Sequence, residues 1–574
     1  MAAEVHVPGP DPRPAADPAP QRAAHPSLAA AWRARVAAAP DRVALAWFDA
    51  RLSAAEVDEA SDALAVAFAR LGCGPGDRVG IHLQNVPHHV FAVLALWKLG
   101  AIVLPLNPMY RRAELRRLVD DAEAVGILCA DHEVDEVAES LAGSSVRWTL
   151  SSRARDLQSR DDPRVFAPGG PEAPGAAHRP AAQGDLGALL RRHRGERPDP
   201  VDVAPDDVAL LTYTSGTTGP PKGAMSTHAN VLSVVDTFGD WVGLAPGDVV
   251  LAMAPLFHIT GAVVNAALSL LTDTTLVLTG RFHPEVALEA FVEHGVTFTI
   301  GSITAYSAMA QVPHASREHF ASATGLWSGG APIPPATVER FEARFGVHLH
   351  NAYGMTETTS AVVAVPAGRR APVHGPSGTL SVGVPLPGVT VRVVDPEGRP
   401  VPTGEQGELE MSGPSVVAGY WRNPEATEHT MPGGRLRSGD VAVLDDDGWV
   451  YLVDRLKDQV NVSGYKVWPR EVEDALYEHP AVREAAVVGE PDAHRGESVL
   501  AFVSLVAGAQ VAPEELIAFA RERLAAYKAP RRLVVLDDLP KTQTGKIRRN
   551  VLREGAADAA TAPAAGPTPS SGGG

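Results

Sequence analysis

The eleven residues Tyr213-Thr-Ser-Gly-Thr-Thr-Gly-Pro-Pro-Lys-Gly223 narrow the folds open to this chain more than any other segment. They hold three glycines, four aliphatic hydroxyls and one lysine, and they follow a short apolar run at 208–211 that reads as a strand. Glycines let a backbone turn several N–H groups toward one anion, hydroxyls add short donors, and Lys222 adds a mobile positive charge. The string therefore predicts a phosphate cradle at a strand end. It is not a Walker A loop, because Gly223 rather than Ser or Thr follows the lysine. A surface turn rich in Ser, Thr and Gly is the plain competing reading. It would account for four or five such residues, not for all eleven.

The segments around this loop alternate in period. Ser53-Ala-Ala-Glu56 reads as a capping box, and Val57, Ala60, Leu64, Phe68 and Leu71 then recur at helical spacing up to Gly72. A strand at 78–83, a helix-like run at 90–99 and another strand at 101–106 follow. Such alternation predicts α/β layers with largely parallel strands. Short strands with turns at 383–394, 407–411 and 448–453 predict a β-rich subdomain. Beyond 454–458, segments 469–479, 485–489, 498–505, 513–524 and 532–536 alternate helix and strand, as a compact α+β unit of about 100 residues would. The stretch 151–204, rich in Pro, Ala, Gly and Arg with one short helix at 186–194, reads as a surface excursion. The expected organisation is a large N-terminal unit of layered αβ subdomains at 26–454, a small C-terminal unit at 455–553, and disordered tails at 1–25 and 554–574. A chain of 574 residues is too long for a single core.

Charge restricts the partners. The chain carries 51 basic and 68 acidic residues, a formal −17, so non-specific binding to nucleic acid is disfavoured. Against that trend, the region 521–553 holds ten Lys or Arg and three acidic residues, which suits a phosphate-bearing ligand. A solvated basic face explains the charge equally well. Two cysteines, Cys73 and Cys129, form neither a disulfide framework nor a metal-ligand spacing, and a reducing cytoplasm is expected. The most apolar stretches are interrupted by Lys98 and Asp273, so no membrane span is expected.

The cradle string resembles the signature loop of the adenylate-forming superfamily, which includes acyl-CoA synthetases, adenylation domains of peptide synthetases and beetle luciferases. Further similar segments follow in the family's order: Ala-Pro-Leu-Phe-His-Ile-Thr-Gly at 254–261, Ser-Gly-Gly-Ala-Pro at 328–332 and Asn-Ala-Tyr-Gly-Met-Thr-Glu-Thr at 351–358. Asp-Arg-Leu-Lys-Asp at 454–458, Ser-Gly-Tyr-Lys-Val-Trp-Pro-Arg-Glu-Val-Glu at 463–473 and Pro-Lys-Thr-Gln-Thr-Gly-Lys-Ile-Arg at 540–548 complete the series. The resemblance spans about residues 26–553.

It implies a two-step reaction. A carboxylate attacks the α-phosphorus of ATP and diphosphate leaves; a thiol then attacks the acyl-adenylate and AMP leaves. In the family the loop holds the β- and γ-phosphates, which maps to Thr214, Ser215, Gly216, Thr217, Thr218, Gly219 and Lys222. Thr356 would donate to the α-phosphate and Glu357 would bind Mg²⁺. Tyr353 would stack on adenine, with Gly329, Gly330, Ala331 and Pro332 as the other wall and Asn351, Ala352 and Gly354 beside it. Asp440 and Arg455 would hold the ribose. Lys546 would stabilise charge during adenylation. Lys457 would be the hinge about which the C-terminal unit rotates, exchanging the Lys546 face for a thiol-step face at Ser463, Gly464 and Tyr465. The acid would lie among His258, Gly261, Ile303, Trp327, Gly329 and Ala352.

The expected activity is therefore an ATP-dependent acid–thiol ligase using Mg²⁺ and coenzyme A. A medium- or long-chain fatty acid is favoured, because segment 463–473 looks closest to fatty acyl-CoA ligases. An aryl-acid CoA ligase is the near alternative. A stand-alone adenylation enzyme loading a carrier protein is the next. Catalytic positions are all present, which disfavours a non-catalytic nucleotide sensor. Oligomeric state has no signature in the residues.

Overall fold

The computed structural model describes residues 25–173, 176–214, 220–331, 333–462, 465–492, 495–542 and 545–554. They form four sheets. A six-stranded sheet runs in the order Trp148–Ser152, Gly126–Ala130, Arg78–His82, Ile102–Pro105, Val208–Tyr213, Gly223–Thr227. Its first five strands are parallel and the last is antiparallel. Parallel neighbours need crossovers, and helices Pro87–Lys98 and Arg112–Ala122 supply two of them.

The nine-stranded sheet has a parallel centre made by Leu349–Met355, Gly325–Gly329, Phe298–Gly301, Val249–Leu251, Thr275–Leu278 and Val43–Trp47. Antiparallel strands Ala50–Ser53 and Ser360–Ala364 flank it. Helices Ala54–Arg70, Pro87–Lys98 and His228–Val242 are sandwiched between the two sheets. Leu45 and Trp47 from one sheet and Val79 and Val103 from the other share a core with Leu64, Phe68, Phe91, Val231 and Phe238 of the helices. Burial of such side chains, about 1.5–3 kcal/mol each, drives this layering.

The expected capping box is present: Ser53 Oγ accepts from the Glu56 N–H at 3.2 Å, and the Ser53 N–H donates to Glu56 Oε2 at 2.8 Å. The second helix starts at Pro87 rather than 90, since proline's fixed φ suits a first helical turn. Lys98, the charge inside this apolar helix, is buried. Its ammonium lies 2.6 Å from both Asp58 Oδ1 and Asp62 Oδ1 and 2.8 Å from Ser61 Oγ. Three acceptors offset the cost of burying that charge.

The stretch 151–204 is less superficial than its composition predicts. Phe166 is buried and packs edge-on to Trp47 at 6.2 Å and against Phe48 at 5.6 Å. One aromatic among prolines and glycines carries no periodicity, so the composition conceals this anchor.

Four antiparallel strands, Thr390–Val394, Gly407–Ser412, Leu436–Leu444 and Val450–Arg455, form the β-rich part. The last sheet carries the long hairpin Val482–Asp492 and Gly496–Leu505, with Arg532–Val535 parallel to the second strand. Helices Pro469–Tyr477 and Pro513–Arg521 cover one face through Val472, Leu476, Leu516 and Ala520. Cys73 and Cys129 are buried free thiols. No helix among the described residues is long and apolar enough to cross a membrane.

Candidate active site

Parallel strands end together, and side chains from loops at that edge converge there. A cleft of about 1670 Å³ opens where the nine-stranded sheet's strand ends meet the four-stranded sheet and the C-terminal segment 541–553. The phosphate loop joins Val208–Tyr213 to Gly223–Thr227, an antiparallel hairpin with Tyr213 opposite Gly223. Its base is closed by the Thr214 N–H donating to the Lys222 carbonyl at 2.9 Å, and by the Lys222 N–H donating to Thr214 Oγ1 at 3.2 Å. Thr214 and Lys222 both line the cleft. Ser215, Gly216, Thr217, Thr218 and Gly219 lie outside the described residues, as does Pro332.

Strand Leu349–Met355 delivers Asn351, Ala352, Tyr353 and Gly354 to the same cleft, and the turn Thr356–Thr358 follows at once. The chain then doubles back. Thr359 and Ser360 have φ of 53° and 100°, left-handed conformations that cost a side-chain-bearing residue about 1–3 kcal/mol. The Thr358 hydroxyl donates to the Ser360 carbonyl at 2.7 Å and holds that turn. A Cβ at Gly354 would sit 1.8 Å from the Ser360 carbonyl oxygen, so only glycine permits the approach. This strained reversal turns Glu357 into the site.

Glu357 is buried, and its Oε1 accepts from the Tyr420 hydroxyl at 2.6 Å. Burial, and then the Glu357 charge, push the Tyr420 phenol upward, so it stays a donor. Lys222 Nζ sits 4.3 Å from the centre of the Tyr420 ring, within cation–π range. Tyr420 thus links the carboxylate to the loop lysine. Periodicity gives no hint of it, because the Ala224–Tyr420 bridge and the Trp421 N–H to Gly223 carbonyl bond (2.7 Å) are tertiary contacts. Tyr420→Phe keeps the ring and removes one hydrogen bond to a carboxylate, a loss of about 1.5–3 kcal/mol. The expected result is an acid-dependent ATP–diphosphate exchange rate at least about tenfold lower, with a melting temperature lowered by several degrees.

No cluster of three or more His, Cys, Asp or Glu that could cage a metal exists among the described residues. Mg²⁺ in phosphate sites needs only one or two carboxylates, with phosphate and water completing its shell. Glu357 fits that requirement: it is a buried carboxylate at the cleft whose Oε1 accepts from the Tyr420 hydroxyl.

Asp440 projects from Leu436–Leu444 opposite Arg455 of Val450–Arg455. Its Oδ2 accepts from the Tyr353 hydroxyl at 2.7 Å, and Arg455 Nε lies 3.2 Å from Oδ1. The tyrosine expected beside a base and the aspartate expected at a sugar are therefore one hydrogen-bonded unit.

Lys546 reaches this cleft from the C-terminal segment. A Cβ at Gly330 would lie 3.2 Å from Lys546 Cε, so the lysine stem runs directly over that glycine. Burial, and then the Arg455 guanidinium, lower its ammonium to about 8 against the pull of Asp440 and Glu357. His258 is held neutral, lowered to about 3 by burial and by Lys546.

Phe257, His258, Ile300, Ile303, Gly329 and Ala352 are among the residues that line this cleft. Two expected members are absent from it. Trp327 is fully buried; its ring lies back over Gly325, whose missing side chain leaves the bed for it, and Nε1 donates to the Val365 carbonyl at 3.2 Å. Gly261 starts the π-helix Gly261–Ala267, and a Cβ there would meet the Pro255 carbonyl oxygen at 2.0 Å. It is a packing glycine of the preceding loop, not a cleft wall.

Lys457 belongs to the single turn Leu456–Asp458 between two strands. Ser463 and Gly464 lie outside the described residues. Tyr465 is 60% exposed, rests on Tyr527 with ring centres 4.8 Å apart, and does not line the cleft. The face carrying Tyr465 and the face carrying Lys546 are therefore not at the site together.

Comparison with known proteins identifies the family. The model of the AMP-binding enzyme family matches residues 32–421, and that of the AMP-binding enzyme C-terminal domain matches 471–546. A feruloyl-CoA synthase from Amycolatopsis sp. is 35% identical over 503 residues, 88% of this chain and 93% of that protein. A long-chain-fatty-acid–CoA ligase from Bacillus subtilis (strain 168) is 33% identical over 526 residues, 90% of this chain and 92% of that one. The ATP-bound structure of MatB from Rhodopseudomonas palustris superposes with a TM-score of 0.81 at 29% identity, covering 94% of this chain and 100% of that one. An anthranilate CoA ligase in complex with anthranoyl-AMP gives 0.82 at 26% identity, covering 93% and 98%. The chain accordingly belongs to the AMP-binding enzyme family, in the acyl-CoA synthetase branch of the adenylate-forming enzymes, and is an AMP-forming acid–CoA ligase.

Proposed function

We propose that the acid activated here is a monocarboxylate with an uncharged, apolar tail, a medium- or long-chain fatty acid in the first instance. The observation that carries this is the wall beside His258. Phe257, His258, Ile300, Ile303, Gly329 and Ala352 carry no charge, with His258 neutral; Lys546 is needed for the reaction itself, and the cleft's Arg340 and Arg344 already donate to the Tyr477 and Ala310 carbonyls. An apolar wall with few polar groups selects by shape and volume. An aryl acid is the second reading, favoured by the 35% identity to a feruloyl-CoA synthase. Acid-dependent AMP release with coenzyme A, measured across C4–C18 fatty acids and hydroxycinnamic and benzoic acids, decides between them. Best turnover with a dicarboxylic acid would refute both. Transfer to a carrier protein's pantetheine but not to free coenzyme A would instead favour the carrier-loading alternative.

In the proposed mechanism Thr214, Lys222 and the loop between them hold the β- and γ-phosphates, and Thr356 donates to the α-phosphate. Glu357, oriented by Tyr420, would hold Mg²⁺, which offsets phosphate charge. Tyr353 and the glycines at 329 and 330 sandwich the base, while Asp440 and Arg455 take the ribose. The acid's oxygen attacks the α-phosphorus in line with departing diphosphate. Lys546 neutralises charge that develops around the phosphorus.

The lowered lysine sets a pH dependence. With an ammonium titrating at about 8, the charged form is complete well below that pH and is lost above it. Adenylation kcat/KM is expected to fall as pH rises through about 8. Bound triphosphate favours the ammonium, so the same limb in kcat lies higher. Because His258 stays neutral, no limb is expected near the ordinary histidine value.

A further inference from the structure

The segment that presents Lys546 is a tight turn. The Thr542 N–H donates to the Lys546 carbonyl at 2.6 Å, the Gly545 N–H to the Thr542 carbonyl at 2.9 Å, and the Lys546 N–H to Thr542 Oγ1 at 3.0 Å. Lys541 and Ile547 close it as a β-bridge. These bonds define the turn but not its depth in the cleft. Depth is set where the turn meets the large unit. Gly545, with φ of 80°, lies flat against the start of helix Ile303–Gln311: a Cβ built on it would be 2.0 Å from Thr304 Oγ1 and 3.2 Å from Ser302 Oγ. The two hydroxyls are bonded to each other at 2.7 Å, and Ser302 Oγ also accepts from the Ala305 N–H at 3.3 Å. The receiving surface is therefore fixed by the helix N-terminus before the turn arrives. One residue further on, the lysine stem crosses Gly330.

We propose that the Ser302–Thr304 hydroxyl pair is the seat on which Gly545 docks, and that Thr304 is a positioning residue for Lys546 in adenylation. This rests on the reading of Lys546 given above and adds to it the surface that sets its reach. A seat for a turn that must leave before the thiol step should matter to the first half-reaction alone. A group placed about 1 Å wrong can lose about 10²-fold in rate, so a modest change at the seat carries a large effect.

The test uses the full chain and the best acid from the substrate screen, with both half-reactions assayed separately. Gly545→Ala and Thr304→Leu are each expected to lower the maximal rate of acid-dependent ATP–diphosphate exchange by about 10²-fold with the acid KM within threefold. Thr304→Ser should stay within about threefold of the parent. Transfer from chemically prepared acyl-adenylate to coenzyme A should stay within about threefold in all variants. Thr304→Ala removes the oxygen at 2.0 Å and leaves the Thr304 Cβ and the Ser302 Oγ, both at 3.2 Å, so Thr304→Ala/Gly545→Ala should recover at least about fivefold over Gly545→Ala. Strictly additive losses, equal loss in both half-reactions, or an effect confined to the acid KM would overturn the seat. A parent protein without exchange for any acid would instead overturn the assignment of function, which separates the two failures.

Discussion

Lys546→Ala is expected to slow acyl-adenylate formation by about 10²–10³-fold, about 3–4 kcal/mol, the cost of losing one preorganised donor at a developing charge. The ammonium is crowded enough to be lowered to about 8, so the protein around it resists the charge and the incoming phosphates are what it serves. That arrangement suits a group whose interaction strengthens during reaction rather than on binding. Transfer from preformed acyl-adenylate to coenzyme A should be spared within about threefold if, as proposed, the thiol step uses the other face of the C-terminal unit. Single-turnover measurement of each half-reaction checks both statements. Equal loss in the two would sink the assigned role.

Lys457→Pro is expected to do the reverse: the thiol step falls by about 10²-fold or more while adenylation changes less than about tenfold. Residues 456–458 form the short turn between the four-stranded sheet and the C-terminal sheet. On either side, Asp454 and Asp458 hold the lysine-bearing segment: Arg549 Nη1 is 3.5 Å from Asp458 Oδ2 and 3.9 Å from Asp454 Oδ1, and Arg553 is 3.2 Å from Asp458 Oδ1. Arg549 also forks onto Glu473 at 2.6 and 2.8 Å. Of these residues only Asp454 belongs to the N-terminal unit, and its contacts with Arg549 and with the Arg470 N–H, at 2.9 Å, hold the two units in the arrangement seen here. Proline locks φ near −65°, a value a 3₁₀ turn already uses, so this state survives while rotation away from it is blocked. Tyr465, exposed and outside the cleft, then has no route to the adenylate. Normal thioester formation by the variant would refute the pivot.

Much of this protein was legible in one dimension. The cradle string, the Ser53 capping box and the alternation of periods each depend on residues a few positions apart, and local backbone chemistry acts over that range. The layered αβ halves, the β-rich middle and the α+β end followed from them, with boundaries shifted by a few residues. The linear series of motifs also named most side chains that share the cleft, among them Lys222, Thr356, Glu357, Asp440, Arg455 and Lys546.

The rest depends on distance in space. Nothing local tells that Tyr420 bridges Glu357 and Lys222, that Tyr353 bonds Asp440, or that Gly545 rests on Thr304, because each pair joins segments tens to hundreds of residues apart. The same holds where the reading failed. Trp327 and Gly261 stand among cleft residues in the chain, yet the indole folds back over Gly325 and the glycine packs on Pro255. Composition and spacing select the elements and the chemical groups; which face of an element meets the cleft is settled by the packing of neighbours that the chain order does not place side by side.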